Sequence, residues 1–274
     1  MMRIFRRYPR VVIGGTLLAI LVGLSLLAPW IAPYDPIKLS VANRLKPPSE
    51  KFWFGTDAYG RDVLSRTLWG GQISLLIAVS VAFASTVIGT SIGLIAGYFR
   101  AMDAVVMRVM DGLMAIPGIL LAVAMLSLSK ASVQTVIIAI TIPEIPRVVR
   151  LVRAVVLSLR EQTFVSGAIS SGSRLPRILF RHILPNALTP IIVQATYIAA
   201  SAVLIEAYLG FLGVGTPPET PSWGNIIAEG RNFIMLAIWS VLFPGLFLGT
   251  MVLSINILGD GIRDMLDPRI AKRI

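Results

Sequence analysis

The sequence predicts an all-α membrane protein with about six transmembrane helices, and three observations carry that prediction. Hydrophobic residues make up 55% of the 274 residues and charged residues only 14%, against about 25% charged in soluble domains. Mean hydropathy is +0.80. The apolar residues fall in runs close to the 20 or so that a helix needs to cross a bilayer. A soluble globular domain and a disordered chain are both excluded. With no Cys there is no disulfide framework, thiolate metal site or Cys nucleophile, and a single His excludes a multi-His metal site.

Each span has its own justification. The first, 11–33, is uncharged and follows a basic segment, 1–10. It is too long for the apolar part of a secretory signal and has no A-x-A cleavage site, so it reads as an uncleaved helix. A loop, 34–72, follows. The second span starts near Ile73 within the uncharged run 67–99, the third is 112–129, and Lys130 separates it from a short fourth, 131–146, which contains Glu144. The fifth lies within 187–213 and contains Glu206; the sixth is 233–259, and 260–274 forms a basic tail. Residues 73–259 are thus the core, interrupted by a polar segment, 147–186. Pro117, Pro143, Pro146 and Pro244 fall within or at the ends of spans, where proline removes a backbone donor and kinks a helix.

Lysine and arginine set the orientation. With the N-terminus inside, seventeen of the 25 basic residues face the cytoplasm, and six of the other eight sit in the 34–72 loop. Both termini are therefore expected inside. The net charge of +11 is read as this topology signal and not as a nucleic-acid surface.

Gly89, Gly93 and Gly97 form two overlapping G-x-x-x-G units, and Gly245 and Gly249 repeat the spacing. Such glycines let helix backbones approach closely, either within this chain or against a second membrane subunit. In the outer loop Asp57 with Arg61, and Asp62 with Arg66, are spaced to pair across a helical turn, and Gly55 and Gly60 suggest turns. Trp223, among prolines, reads as an interfacial anchor. Glu144 is expected to pair with Arg147 near the inner end of its span.

The segment 147–186 carries the most information. Arg147, Arg150 and Arg153 recur at helical spacing and extend the fourth span beyond the membrane. A break at Gly172-Ser173 separates Glu161–Ala168 from a second amphipathic stretch, in which Ile178 and Leu179 face one way and Arg174, Arg177 and Arg181 another. Helix, glycine turn, helix is the shape of a docking element.

This segment resembles the cytoplasmic signature of permease subunits of binding-protein-dependent ABC importers. There a Glu-Ala-Ala triplet is followed after three residues by Gly and later by Leu-Pro. Ser166-Gly167-Ala168 occupies the triplet, Gly172 has the expected spacing and Leu184-Pro185 close the pattern; Ser in place of Glu is a departure. The run from Phe54 to Arg66 is similar to the outer-loop signature of the dipeptide, oligopeptide and nickel class, as are Glu206–Gly215 and Pro217–Gly224 to motifs of its fifth span. The long loop after the first span is similar to that of the second permease type of the class, the dipeptide-permease-C type.

The resemblance covers essentially the whole chain. It implies a type I importer permease fold with a cytoplasmic coupling helix between spans 4 and 5. It also implies a second homologous permease, two ATP-binding subunits that carry ATP and Mg, an extracytoplasmic substrate-binding protein and a bacterial or archaeal inner membrane. Peptides are the leading substrate. Ser166, Gly167, Ala168, Gly172, Ser173, Arg174 and Arg177 become the ATPase-coupling residues. Asp57, Arg61, Asp62 and Arg66 become candidates for docking the binding protein. Glu206 either lines the translocation pathway or hydrogen-bonds a neighbouring helix, because a carboxylate at depth is costly unless paired or facing water.

No G-x-x-x-x-G-K-[ST] phosphate loop is present, so this chain itself is expected neither to bind ATP nor to act as an enzyme, and no cofactor is assigned to it. No H-E-x-x-H exists, and the sole His182 lies in the inner segment. The competing reading is an ATP-independent secondary transporter or channel, which predicts broken helices repeated in both halves and leaves the inner docking segment unexplained.

Overall fold

The computed structural model describes residues 8–217 and 219–266. The basic residues at 1–7 and 267–274, and Pro218 of the outer motif, lie outside the described residues. Among the described residues the regular structure is helical, with one isolated bridge between Thr56 and Asp62.

Helix α1, Pro9–Leu26, begins with proline at its first turn, where a missing N–H costs nothing. A one-residue break at Leu27 separates it from the short α2, Ala28–Ile31. Helix α3, Val63–Tyr98, is 36 residues long, about 54 Å. It starts ten residues before the expected Ile73 because Asp62 caps it, accepting from the Ser65 N–H. At this length α3 is longer than a hydrocarbon core about 30 Å thick.

The third expected span is a broken one. Helix α4, Arg100–Ala115, and α5, Gly118–Ser127, meet at an angle of 80° across Ile116-Pro117. Pro117 disfavours the helical conformation at Ile116, whose backbone is extended. Helix α6, Val133–Leu159, is capped by Ser132 and runs through both Pro143 and Pro146 without ending. A short helix α7, Thr163–Ser170, follows. Helix α8, Leu175–Arg177, then continues through a π-helical stretch, Ile178–Ile183, into α9, Leu184–Phe211. Helix α10, Trp223–Gly230, is capped by Ser222, and α11, Trp239–Leu266, closes the chain. The last span starts six residues later than expected, since 231–233 form a 3-10 turn.

Among the described residues four helical segments are long and apolar enough to cross a membrane alone: α1, α3, the rod Leu175–Phe211, and α11. The bent pair α4–α5 supplies a fifth. Helix α6 has the length, but its apolar run is interrupted by Glu144, Arg147, Arg150 and Arg153.

The fold is organised around α3 against α6, the most extensive helix contact. A Cβ on Gly89, Gly93 or Gly97 would lie 2.5 Å, 2.7 Å and 2.7 Å from the Cβ of Val148, Val152 and Val156 respectively. One face of glycines meets one stripe of valines at the same four-residue period, so those three glycines pack within this chain. A Cβ on Gly245 or Gly249 would meet nothing within 4 Å. The main core joins Ile77 and Val81 of α3, Ala122 and Leu126 of α5, Ile140 and Val148 of α6, and Ile198 and Leu209 of α9. A second cluster gathers α1, α3, α9 and α11 around Trp223. Trp223 is fully buried and its Nε1 donates to the Thr67 carbonyl at 2.9 Å. It is a core residue, not an interfacial anchor.

Candidate functional site

The outer loop is tied down by a buried ion cluster. Asp57 Oδ2 accepts from Arg61 Nε and Arg66 Nη1, both at 2.7 Å. Glu229 Oε2, on α10, accepts from Arg66 Nη1 at 2.7 Å and from Arg61 Nη2. Two acids and two bases thus close a ring between the loop and a helix more than 160 residues away. The Asp57–Arg61 pair follows its four-residue spacing, although this stretch is a turn and not a helix. Asp62 and Arg66 do not pair. Asp62 is occupied as the cap of α3, taking both the N–H and the Oγ–H of Ser65 at 2.7 Å. Burial nevertheless pushes the Asp62 carboxyl above its ordinary range, against the pull of those two hydrogen bonds.

Around this ring, Gly55 and Gly60 have φ of +70° and +73°, a region open to glycine at no steric cost. Trp239 Nε1 donates to the Thr56 carbonyl at 3.0 Å, and Phe54 stacks on Phe243 at 4.0 Å. These contacts clamp the loop to α11. Asp57, Arg61, Asp62 and Arg66 are all buried, so their side chains face inward. The loop's exposed groups include Val41, Trp53 and Tyr59. Glu229 was missed in the sequence because its only mark is a single acid in a polar stretch, with no spacing that links it to the loop.

Glu206 sits in α9 with no exposure. Its Oε2 accepts from Ser74 Oγ of α3 at 3.0 Å, and its Oε1 lies beside the backbone of Gly224 with no hydrogen-bond partner. Of the two readings of this residue, the geometry displays the bond to a neighbouring helix.

Helix α6 carries a ladder of ion pairs. Arg153 meets both carboxylate oxygens of Asp103 on α4, with Nη2 at 2.6 Å, and Arg150 Nη2 lies 2.5 Å from Asp111. Arg147 pairs with Glu144, as its spacing suggests, but loosely: Nη1 is 3.2 Å and 3.3 Å from the two oxygens. Arg150 and Arg153 join α6 to the bent α4.

Beyond Leu159 the chain turns into the segment 163–183. Gly172 has φ +75°, and its N–H and that of Ser173 close the end of α7 by donating to the Ile169 and Ala168 carbonyls. Val165, Ile178, Leu179 and Ile183 are buried. Ser166, Gly167, Gly172, Arg174 and Arg177 are exposed, with Ala168 and Ser173 half-buried. Phe164, Ile169 and Phe180 are also exposed. A Cβ on Gly167 or Gly172 would meet nothing within 4 Å. Among the described residues no group of three or more His, Asp or Glu is placed to hold a metal ion.

Residues 89–272 match the model of the family described as binding-protein-dependent transport system inner membrane component. The chain belongs to this family. Residues 1–48 match the N-terminal transmembrane domain of oligopeptide transport permease C. The chain is 50% identical to a probable peptide ABC transporter permease protein of Sinorhizobium fredii, over 99% of this chain and 93% of that one. It is 41% identical to the dipeptide transport system permease protein DppC of Alkalihalophilus pseudofirmus, over 94% and 85%. Among solved structures, the inward-facing MetNI methionine ABC transporter aligns with a TM-score of 0.59 at 20% identity, covering 72% of this chain and 94% of that chain. That likeness shows the fold, a type I importer permease. The protein is therefore a multi-pass inner-membrane permease subunit of an ATP-driven importer, and the secondary-transporter reading is replaced.

Proposed function

We propose that this permease forms half of the translocation pathway for peptides, beside a second homologous permease, with two cytoplasmic ATP-binding subunits that hold ATP and Mg and an external binding protein that delivers the substrate. The names of the relatives support peptides as the cargo. The excess of basic residues on one side supports termini that face the cytoplasm.

The observation that carries the mechanism is the segment around Gly172. It follows α6 and leads without interruption into the rod Leu175–Phe211. Its inner face is pinned by Val165, Ile178 and Ile183, and its outer face offers small residues, basic residues and exposed Phe164 and Ile169. A rigid element with an unfilled, basic and partly apolar face is suited to a groove on an ATPase. Closure of the ATPases would push it, and α6 and α9 would move with it. Ser166, Gly167, Ala168, Gly172, Ser173, Arg174 and Arg177 are the contact residues in this reading. On the outer side, Asp57, Arg61, Asp62 and Arg66 act by shaping the loop, and exposed Trp53 and Tyr59 meet the binding protein.

Gly172→Val tests the coupling. The new side chain meets no neighbour, so the cost is confined to a β-branched residue at positive φ. The variant is expected to insert and assemble normally yet lose peptide uptake and peptide-stimulated ATP hydrolysis in proteoliposomes. Uptake at the unmodified rate would refute the coupling role.

A further inference from the structure

A cavity of about 440 Å³ lies where the broken helix bends, within the size range of small-molecule sites. Its wall includes Met114 and Ile116 of the bend, Gly118 at the start of α5, Glu144 and Arg147 of α6, and Ser201 of α9. Three segments of the core therefore meet there. Two helices fix its depth. Glu144 lies eleven residues into α6, about 17 Å from that helix's start, and the ten residues of α5 lead about 15 Å from the bend to the same end. On either path the cavity lies about half the roughly 30 Å thickness of a hydrocarbon core from that end.

The charges are held in an unusual way. Glu144 is 2% exposed, yet among the described residues its carboxylate is met only by Arg147 Nη1, at distances beyond the 2.7–2.9 Å or so of a good charged hydrogen bond. Arg147 has a half-exposed side chain and no further partner for Nε or Nη2 among the described residues. The neighbouring Arg150 and Arg153 are tightly matched to acids on α4, so the loose pair is the one that lines the cavity. A charged pair facing lipid at this depth is costly, which directs the open side of the cavity to water or protein. The uncapped first turn of α5, preceded by Pro117, adds free N–H groups and a partial positive charge to the wall at Gly118.

We propose that this cavity is a transient binding subsite for the two charged ends of a short peptide. The α-ammonium of the peptide lies on Glu144, and its carboxylate lies on Arg147 and the start of α5. The apolar wall at Met114 and Ile116 takes a side chain. Binding exchanges one loose internal ion pair for two intermolecular ones, and release restores the internal pair, so the site is never left with an unpaired buried charge. This assignment rests on the peptide reading above.

The chain has no cysteine, so an introduced thiol reports on the cavity alone within this subunit. In the complete importer, Ser201→Cys and, separately, Met114→Cys are labelled with a maleimide, and modification of this chain is read by mass spectrometry. Alanyl-phenylalanine, supplied with the binding protein and ATP, is expected to slow labelling about tenfold when present at about ten times its dissociation constant. Glu144→Gln or Arg147→Gln is expected to abolish that protection, as are N-acetylation and C-terminal amidation of the peptide. Labelling unaffected by a peptide that is taken up would overturn the subsite and leave the importer reading standing. Thiols that stay unreactive with or without peptide would mean that lipid or the second permease fills the cavity, and would also overturn it. No uptake of the dipeptide by the unmodified importer would remove the peptide reading and the subsite together.

Discussion

Arg66 shows how far a residue's role outruns its neighbours in sequence. It is 1% exposed and shares Nη1 between Asp57 and Glu229. The spacing to Asp62 suggested a surface pair of little energetic weight. Asp62 is taken by the cap of α3, and the true second partner lies on α10. Arg66→Ala leaves buried Asp57 and half-buried Glu229 facing Arg61 alone, and breaking a buried pair costs about 3–5 kcal/mol. The variant is expected to unfold at a markedly lower temperature in detergent, with the outer loop the first part to become protease-sensitive; an unchanged midpoint would mean that the ring contributes little. The same limit on sequence reasoning applied to Trp223. Its type and its proline neighbours point to the interface, and only the packing of α1, α3, α9 and α11 around it reveals a core position.

Among the elements, the contact of α3 with α6 was half legible. The period of Gly89, Gly93 and Gly97 announces a close helix contact, and the matching stripe of Val148, Val152 and Val156 has the same period, but nothing in the sequence says that the two stripes meet. Gly93→Val would place its Cβ 2.7 Å from that of Val152, an overpacking worth about 1–3 kcal/mol. Thermal unfolding of the purified chain is expected to show that loss, with partial recovery on adding Val152→Ala. Gly249→Ala, where nothing lies within 4 Å, is expected to hold or raise the midpoint of the isolated chain. Equal effects at the two positions would contradict the packing. Uninterrupted apolar runs marked where α3 and α11 lie but not where they begin, since α3 starts ten residues earlier and α11 six residues later than expected. The third was drawn as one span, 112–129, with Pro117 read as a kink, and proline marks a break without stating its angle of 80°. The fourth was drawn too short because its charged half is stabilised by Asp103 and Asp111 on α4, partners that hydropathy does not see.

For the whole molecule, family membership and the helical core identify an importer permease, and the inner segment is the element we propose to couple it to the ATPases. The motifs at Phe54–Arg66, Gly172 and Leu184-Pro185 made this legible, since each places glycine or proline where the backbone needs it. The ion pair at the broken helix was not legible as a site, because a cavity is made by elements distant in the chain. The most direct test of the account is purification of this chain through an affinity tag in mild detergent, with mass spectrometry of its companions. The account predicts recovery of a second permease and one or two kinds of ATP-binding subunit in stable association. A well-folded chain that emerges alone or as a homo-oligomer would contradict it.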